Sequence, residues 1–250
     1  MVKNRLAQII YRSIYIAIGL VGIVGSFGTF SGHYFGNWYL YFTNISNYLC
    51  FFVMLALLLY TIRDYKKGEK YGLSASAPIF RFCVLIMILL TFLVANILLS
   101  NPFSAEYWTN FVVVLLHLVL PVMFIVDYLL FSEHRTLNVF APLYSVIMPL
   151  IYFTFIMVRA EVKLGSGEMA YPYFFLDASV IGYGNVFLYV LGLIFVFVAL
   201  GYGVWAYDKL VKDEKTQKLK WDFSPLPKYN QENNIKQDEN EKNNSTQVEE

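Results

Sequence analysis

The chain has 250 residues, of which 58% are hydrophobic, 18% aromatic and only 15% charged, and its net charge is +1. Soluble globular proteins carry about 25% charged residues, so this composition indicates a protein whose surface faces lipid. It argues against a soluble enzyme, a secreted disulfide scaffold and a nucleic-acid binder, because a nearly neutral chain offers no basic field to phosphates. The two cysteines, Cys50 and Cys83, lie in apolar stretches and are interpreted as small core residues.

Six apolar runs are long enough to cross a bilayer, which takes about 20 helical residues. The sequence therefore predicts an all-α, polytopic membrane protein with six transmembrane helices in a domain of residues 1–212. The predicted spans 1 to 6 are Ile9–Phe30, Trp38–Ile62, Ile79–Leu99, Trp108–Phe131, Val139–Val158 and Asn185–Tyr207. The remaining residues, 213–250, are rich in Asn, Glu and Lys and are predicted to form a disordered polar tail.

Lysine and arginine residues are distributed unevenly between the two sides of the predicted bundle. Only Arg159 and Lys163 fall on one side, whereas all others lie at the termini or near the second and fourth connections. The positive-inside rule then predicts a multi-pass protein of the plasma membrane with both termini in the cytoplasm.

Span 2 begins WYLYFTNISNYLCFFVML and carries several polar groups near its outer end. Polar side chains are costly in a membrane interior and are therefore informative. Thr43, Ser46 and Asn47 are spaced i, i+3 and i+4, so they share one helical face, and Asn44 lies about 100° away from Thr43. Each of these residues alone is consistent with ordinary hydrogen bonding within or between helices.

Other polar groups are expected at a similar depth on neighbouring spans. Asn96 lies near the outer end of span 3, His117 lies within span 4, and span 5 is followed by Arg159. Any one of them alone is consistent with a purely interhelical role. Together with the polar start of span 2, they indicate a pocket in the outer half of the bundle, open toward the extracytoplasmic side or the outer leaflet.

Two further patterns are interpreted as structural. Asp127 is predicted to pair with Arg81 or Arg12 near the cytoplasmic boundary, as an anchor rather than as part of a reaction. Small residues recur every third position along span 1, which favours close approach of a neighbouring helix. They are Gly19, Gly22, Gly25 and Gly28.

The connection after span 5 is predicted to run from Ala160 to Gly184. Connections longer than about 12–15 residues are usually functional or disordered, and this one contains the aromatic sequence YPYFFLD. We expect a re-entrant or interfacial lid held by Tyr171 and Tyr173. Asp177 is expected to pair with Arg159, and a purely structural clamp is at least as plausible as a catalytic role.

Thr43 and His117 are the natural nucleophile and base of this set, because a hydroxyl is a weak nucleophile until a neighbouring imidazole takes its proton. At 1.5 Å of rise per residue, Thr43 lies about 7 Å and His117 about 13 Å below the outer ends of their spans. Helix tilt can absorb this difference, although Ser46 and Asn47 are nearer to His117 in depth. The predicted substrate-binding or oxyanion-stabilising residues are Asn44, Ser46, Asn47, Asn96 and Arg159. No metal or other cofactor is predicted, since one intramembrane histidine without a cysteine cluster is a poor ligand set.

Three motifs together resemble a known family: YFTNISN at the start of span 2, His117 followed by Pro121 in span 4, and Arg159 followed by YPYFFLD. They are similar to motifs of six-helix prokaryotic membrane proteins that are distantly similar to the androgen-induced membrane hydrolases of animals. The resemblance covers about residues 5–207. Those hydrolases are intramembrane threonine hydrolases of fatty-acid esters of hydroxy fatty acids. By position, the resemblance implies Thr43 as the nucleophile, His117 as its partner and the bacterial inner membrane as the location.

Three functions stay open at this point. The first is a membrane hydrolase or acyl-transfer enzyme acting on a membrane lipid or a lipid-like ester. The second is a small-solute transporter in which His117 responds to protons. The third is a non-catalytic membrane scaffold whose tail recruits a partner. Nucleic acid is not an expected partner, and the sequence leaves the oligomeric state open.

Overall fold

The structure is a computed structural model that describes residues 1–74, 76–99, 104–163 and 168–211. Among these residues there are helices but no β-strand, and six helices are long and apolar enough to cross a membrane. The predicted all-α class with six such helices is therefore confirmed. We number them α1 (Arg5–Ser26), α2 (Phe42–Lys66), α3 (Pro78–Ile97), α4 (Phe111–Phe131), α5 (Ala141–Lys163) and α6 (Ala178–Leu210). The predicted tail, 213–250, lies outside the described residues.

The two ends of the described chain lie at the same end of the helix bundle. The Val2 N–H donates to the Leu130 carbonyl at the end of α4, at 2.9 Å. Near the end of α6, the Lys209 Nζ donates to the Leu137 carbonyl in the α4–α5 connection, at 2.6 Å. We call this the terminal end of the bundle. The opposite end carries the α1–α2, α3–α4 and α5–α6 connections, and we call it the Thr43 end.

Helix α6 starts earlier than the sequence predicted, at Ala178 rather than Asn185. Asp177 caps the helix by accepting a hydrogen bond from the Ser179 N–H at 3.1 Å, as a short acidic side chain does at an N-cap. Gly182 then breaks the helical geometry with φ 76°, which a glycine adopts without strain. The first turn of α6 therefore lies before a kink at Gly182. The apolar run from which the span was predicted covers only the part of the helix after this kink.

Helix α5 also runs past its predicted end, to Lys163 rather than Val158. The connection between α5 and α6 thus covers residues 164–177, not the predicted Ala160–Gly184. Of its described part, Phe174–Leu176 forms a short 3-10 helix. Leu176 and the aromatic rings around it pack against α5 and α6 in a common cluster with Ile156 and Val190.

The small residues of α1 let α2 and α4 approach closely. A Cβ built at Gly19, Gly22 or Gly25 would come within 3.0 Å of a side chain of α2 or α4. Real Cβ contacts of that length are essentially absent, so any larger residue would push these helices apart. The interpretation of this stripe as a helix-packing surface is confirmed for these three glycines. It is wrong for Gly28, which lies beyond the end of α1 with φ 80°, in a turn where an added Cβ would clash with the His33 carbonyl.

A fully buried ionic network ties α1, α3 and α4 together near the terminal end. Arg12 Nε donates to Asp127 at 2.8 Å, and Arg81 Nη2 donates to the other oxygen of the same carboxylate. A third contact reaches α2, where Arg12 Nη1 donates to Thr61 Oγ1 at 2.7 Å. Asp127 is therefore an anchor, as predicted, and it pairs with both arginines rather than with one.

A second buried carboxylate, Asp208 near the end of α6, was not predicted. His134 Nδ1 lies 3.0 Å from Asp208 Oδ1, and the Arg135 N–H donates to Oδ2 at 2.9 Å. Arg81 also stacks over the Tyr128 ring at 5.5 Å, and the Tyr128 hydroxyl donates to Asp208 at 3.4 Å. Asp208 is thus linked to Arg81 through Tyr128, whereas Asp127 is the carboxylate that pairs with both guanidinium groups.

We expect Asp127→Asn to lower the free energy of unfolding by about 3–5 kcal/mol, because it leaves two buried guanidinium groups without their shared counter-ion. Asp64→Asn is the matched control, since Asp64 pairs with Arg5 at a partly exposed position, where an ion pair contributes about 1 kcal/mol or less. Unfolding of the purified protein in mixed micelles measures both. Equal losses in the two variants would contradict an anchoring role for Asp127.

Candidate active site

A polar cavity of about 920 Å³ lies at the Thr43 end, between α1, α2, α4 and the α5–α6 connection. Four of the predicted site residues line it: Thr43, Asn44, His117 and Tyr173. The nucleophile and the base inferred from the sequence thus share one cavity, although they lie on different helices.

Thr43 is the second residue of α2, and its side chain is half-buried. The first N–H groups of a helix have no partner within it and form the positive end of the helix dipole. The N-cap residue, Tyr41, makes no side-chain hydrogen bond to them. A hydroxyl in this first turn lies where negative charge on oxygen is stabilised, which is the environment that a nucleophile requires.

The Tyr173 hydroxyl occupies the place of the missing cap. It accepts a hydrogen bond from the Phe42 N–H at 3.1 Å, and the Thr43 hydroxyl and backbone are further hydrogen-bonding neighbours. Burial raises the pKa of Tyr173 to about 12, and the contacts with Phe42 and Thr43 oppose that shift. Tyr173 is therefore a neutral phenol at physiological pH, and its oxygen accepts hydrogen bonds from the start of α2, at Phe42 and Thr43.

His117 lies in a π-helical turn of α4, Leu115–Val119. Its Nδ1 is 3.1 Å from the Val113 carbonyl oxygen. Because a carbonyl only accepts hydrogen bonds, Nδ1 carries the proton of the neutral ring and Nε2 keeps its lone pair. Within the described parts of the chain no side chain or backbone group bonds to Nε2, so this nitrogen is free to act as a base.

Two asparagines bond the backbone around His117. A π-helical turn frees backbone carbonyls, and a helix in the membrane must satisfy them internally. Asn47 Nδ2 donates to the Leu116 carbonyl and Asn96 Nδ2 to the His117 carbonyl, both at 2.9 Å. Asn47 Nδ2 also donates to the Thr43 carbonyl at 2.8 Å. Both residues were predicted to contact substrate, whereas their N–H groups are bonded here to the backbone that carries Thr43 and His117.

Asn44 and Ser46 face different surroundings. Asn44 lines the cavity, but its amide nitrogen donates to the Trp38 carbonyl at 2.8 Å and thereby fixes the entry into α2. Ser46 is fully buried, and its hydroxyl lies 2.8 Å from Thr91 Oγ1 on α3. Ser46 therefore joins α2 to α3 and is not a lining residue of the cavity.

Arg159 and two of the predicted lid residues, Tyr171 and Asp177, do not line the cavity, whereas Tyr173 does. Arg159 Nη1 donates to the Met169 carbonyl at 2.8 Å, and Nε donates to the Tyr39 hydroxyl at 3.2 Å. These bonds tie α5 to the following connection and to the α1–α2 connection. The expected pairing of Arg159 with Asp177 does not form, because Asp177 caps α6 and the nearest carboxylate to Arg159 is that of Glu168, at 3.8 Å.

Tyr171 belongs to the apolar cluster that joins α5 to the described part of the α5–α6 connection, with Tyr152 and Leu176. The sequence analysis did not single out Tyr152, although its hydroxyl donates to the Leu40 carbonyl at 2.6 Å and neighbours the Tyr173 hydroxyl. A tyrosine inside an apolar run is a signal for such a role, because its hydroxyl must find a partner away from water.

Thr43 and His117 face the same cavity from α2 and α4. No hydrogen bond joins them in the described part of the chain. The amide nitrogen of Asn47 bonds both to the Thr43 carbonyl and to the Leu116 carbonyl, so the backbone segments that carry Thr43 and His117 lie side by side. The cavity leaves room for a reacting group between them.

Comparison of the chain with protein-family models, with curated proteins and with solved structures finds no match.

The assigned tautomer of His117 can be tested directly. The protein is labelled with ¹⁵N-histidine and its chemical shifts are recorded at a pH above the titration range of histidine. We expect a protonated Nδ1 and an unprotonated Nε2 for His117, because the Val113 carbonyl accepts a hydrogen bond from Nδ1. A His117→Gln variant assigns the signal among the three histidines of the chain. A protonated Nε2 would contradict the proposed base geometry.

Proposed function

We propose that the protein is an integral membrane lipid-ester hydrolase, or a related acyl-transfer enzyme, in which Thr43 is the nucleophile and His117 the base. The observation that carries this proposal is that both residues line one cavity while His117 Nε2 has a free lone pair. The resemblance to intramembrane threonine hydrolases agrees with the same two residues.

The reaction follows the usual course of covalent acyl transfer. His117 Nε2 takes the proton of the Thr43 hydroxyl, through a water where the two groups are not in contact, as Oγ attacks the ester carbonyl. The ester C–O bond then breaks, the alcohol leaves with the proton from His117, and an acyl-threonine remains. Water, or a second alcohol, attacks this ester with His117 again as the base and releases the acyl group. Hydrogen bonds of catalytic groups are often long before substrate binds.

The negative charge of the tetrahedral intermediate requires donors close to Thr43. The side-chain N–H groups of Asn44 and Asn47 are bonded to backbone carbonyls. The backbone N–H groups of Phe42 and Thr43 are better placed, since they begin a 25-residue helix and face the Tyr173 oxygen. In this proposal the oxyanion replaces the Tyr173 hydroxyl at these two N–H groups.

The proposed orientation places both termini in the cytoplasm and the cavity toward the outer leaflet of the plasma membrane. The distribution of lysine and arginine supports it. The described part of the α5–α6 connection, residues 168–177, then acts as an interfacial or re-entrant lid, supported by its aromatic residues and by the bond of Arg159 to the Met169 carbonyl. Membrane lipids or lipid-like esters are the proposed substrates, with fatty-acid esters of hydroxy fatty acids among them.

Labelling with a fluorophosphonate probe tests the nucleophile. We expect the purified protein in detergent to be labelled, and the labelling rate to fall by roughly 10³-fold or more in Thr43→Ala and His117→Ala, because the two residues act as a unit. Two matched variants are expected to keep the wild-type rate. Ser46→Ala removes the alternative hydroxyl on α2, and Thr154→Ala removes a threonine hydroxyl from the exposed face of α5.

Folding of each variant is checked by its thermal unfolding transition. Labelling that survives Thr43→Ala but is lost in Ser46→Ala would refute the assignment of the nucleophile. A well-folded wild type that neither reacts with the probe nor hydrolyses any ester would favour the transporter or the scaffold instead. Uptake of a solute into liposomes that is lost in His117→Ala would identify a transporter. A phenotype that is caused by deletion of the tail, and not by substitutions in the cavity, would identify a scaffold.

A further inference from the structure

A narrow apolar groove adjoins the polar cavity, and Thr43 and Tyr173 line both. The other walls come from α3, α5 and α6, from Phe42 of α2 and from Phe175 and Leu176 of the α5–α6 connection, and they are apolar apart from the hydroxyl of Tyr152. The end of the groove that lies deepest in the bundle is formed by Leu90 of α3, Pro149 of α5 and Phe197 of α6. On each of these three helices, the named residue is the lining residue that lies furthest from the Thr43 end.

The groove lies between α5 and α6, which meet at the Thr43 end, where the Tyr183 hydroxyl of α6 donates to the Glu161 carboxylate of α5. The two helices meet again near the terminal end, where a Cβ built at Gly201 of α6 would lie 3.0 Å from Pro142 Cβ. From there toward the Thr43 end both helices contribute walls of the groove, and Leu150 of α5, with 41% of its surface exposed, stands at its mouth. The groove encloses only about 90 Å³. The groove therefore contacts one side of a bound alkyl chain and leaves the other side exposed to membrane lipids.

We infer that this groove binds the acyl chain of the substrate ester, which enters from the membrane between α5 and α6. The inference rests on the proposed function. With the carbonyl carbon at Thr43, the acyl chain lies along the groove and the alcohol part lies in the polar cavity of about 920 Å³. The acyl chain thus meets an almost wholly apolar wall, whereas the alcohol part meets a wall in which hydroxyl, amide and imidazole groups stand among apolar ones, and Thr43 lines both.

The length of the groove selects a medium acyl chain. Val190 and Phe197 mark its extent along α6, and seven residues of helix cover about 10 Å. An extended chain advances about 3.5 Å for every three bonds, so the groove holds about eight or nine bonds. Phe197, whose ring is 2% exposed, closes the deep end. It is the specificity-determining residue for chain length in this assignment.

Hydrolysis of p-nitrophenyl esters from butanoyl to hexadecanoyl tests the assignment. We expect a maximum of kcat/KM near the octanoyl and decanoyl esters. Phe197→Leu opens the deep end and is expected to raise the dodecanoyl-to-octanoyl ratio of kcat/KM by about tenfold. Ile194→Phe narrows the groove and is expected to lower the same ratio by a similar factor.

Neighbouring residues on the lipid-facing side of α6 provide matched controls. Phe195→Leu and Val196→Phe make the same substitutions at positions that are 74% and 40% exposed and do not line the groove. We expect both to keep the wild-type chain-length profile. A profile that is unchanged in all four variants, in a protein that hydrolyses esters, would overturn the groove assignment and leave the proposed function intact.

A binding measurement separates the two proposals. Thr43→Ala protein is irradiated with decanoic acid carrying a terminal diazirine, and the cross-linked peptides are identified by mass spectrometry. We expect cross-links at Leu90, Pro149 and Phe197, reduced by Ile194→Phe. If the wild-type protein shows no esterase activity, cross-links at these residues would still support the groove as a lipid-binding site, and only the proposed hydrolase function would be refuted. Cross-links spread over exposed residues such as Phe195 would refute the groove.

Discussion

The bonds of one amide group, that of Asn47, hold the two halves of the candidate site together. Its nitrogen donates to the carbonyl of Thr43 on its own helix and to the carbonyl of Leu116 on α4. Thr43 and His117 are therefore positioned by the same side chain, although neither contacts the other. A buried carbonyl left without its donor costs about 1–3 kcal/mol, and the π-helical turn around His117 exposes a carbonyl that only a neighbouring helix can satisfy in lipid.

The two ends of the bundle use different polar chemistry. At the terminal end, Arg12 and Arg81 share the carboxylate of Asp127, and a second buried carboxylate, Asp208, pairs with His134. Removing one charge from such a site is far more costly than removing a neutral group. At the Thr43 end the polar groups that line the cavity are amides, hydroxyls and imidazoles, and the ion pair of Arg159 with Glu168 lies beside them. Neutral groups exchange partners with water or substrate at lower cost, so the charged end resists rearrangement while the Thr43 end can admit a ligand.

Much of the fold could be predicted from the sequence, because apolar runs of about 20 residues are a direct consequence of bilayer thickness. The ends of the helices were predicted less well. Helix α6 begins at Ala178, where Asp177 caps it, and it continues through a kink at Gly182. Neither the cap nor the kink changes the average hydropathy of the segment, so the sequence analysis missed both. Thr43 and His117 were predicted to face one pocket because several spans carry polar groups in their outer halves and because a hydroxyl nucleophile needs a base, although their predicted depths differ. The bonding of Asn47 and Asn96 to freed carbonyls was not predicted, because it depends on π-helical turns that a residue pattern does not reveal.

The uneven packing of the helices determines how a lipid can reach Thr43. Helix α3 buries the largest share of its residues, whereas α5 and α6 bury the smallest shares. In a membrane no hydrophobic force closes a gap between two helices, since lipid tails are as apolar as the side chains that face them. The gap between α5 and α6 is bounded by the Gly201–Pro142 contact at one end and by the Tyr183–Glu161 hydrogen bond at the other, and acyl chains can fill it at little cost. A substrate that is already dissolved in the membrane then reaches Thr43 from the side, while water reaches it through the polar cavity.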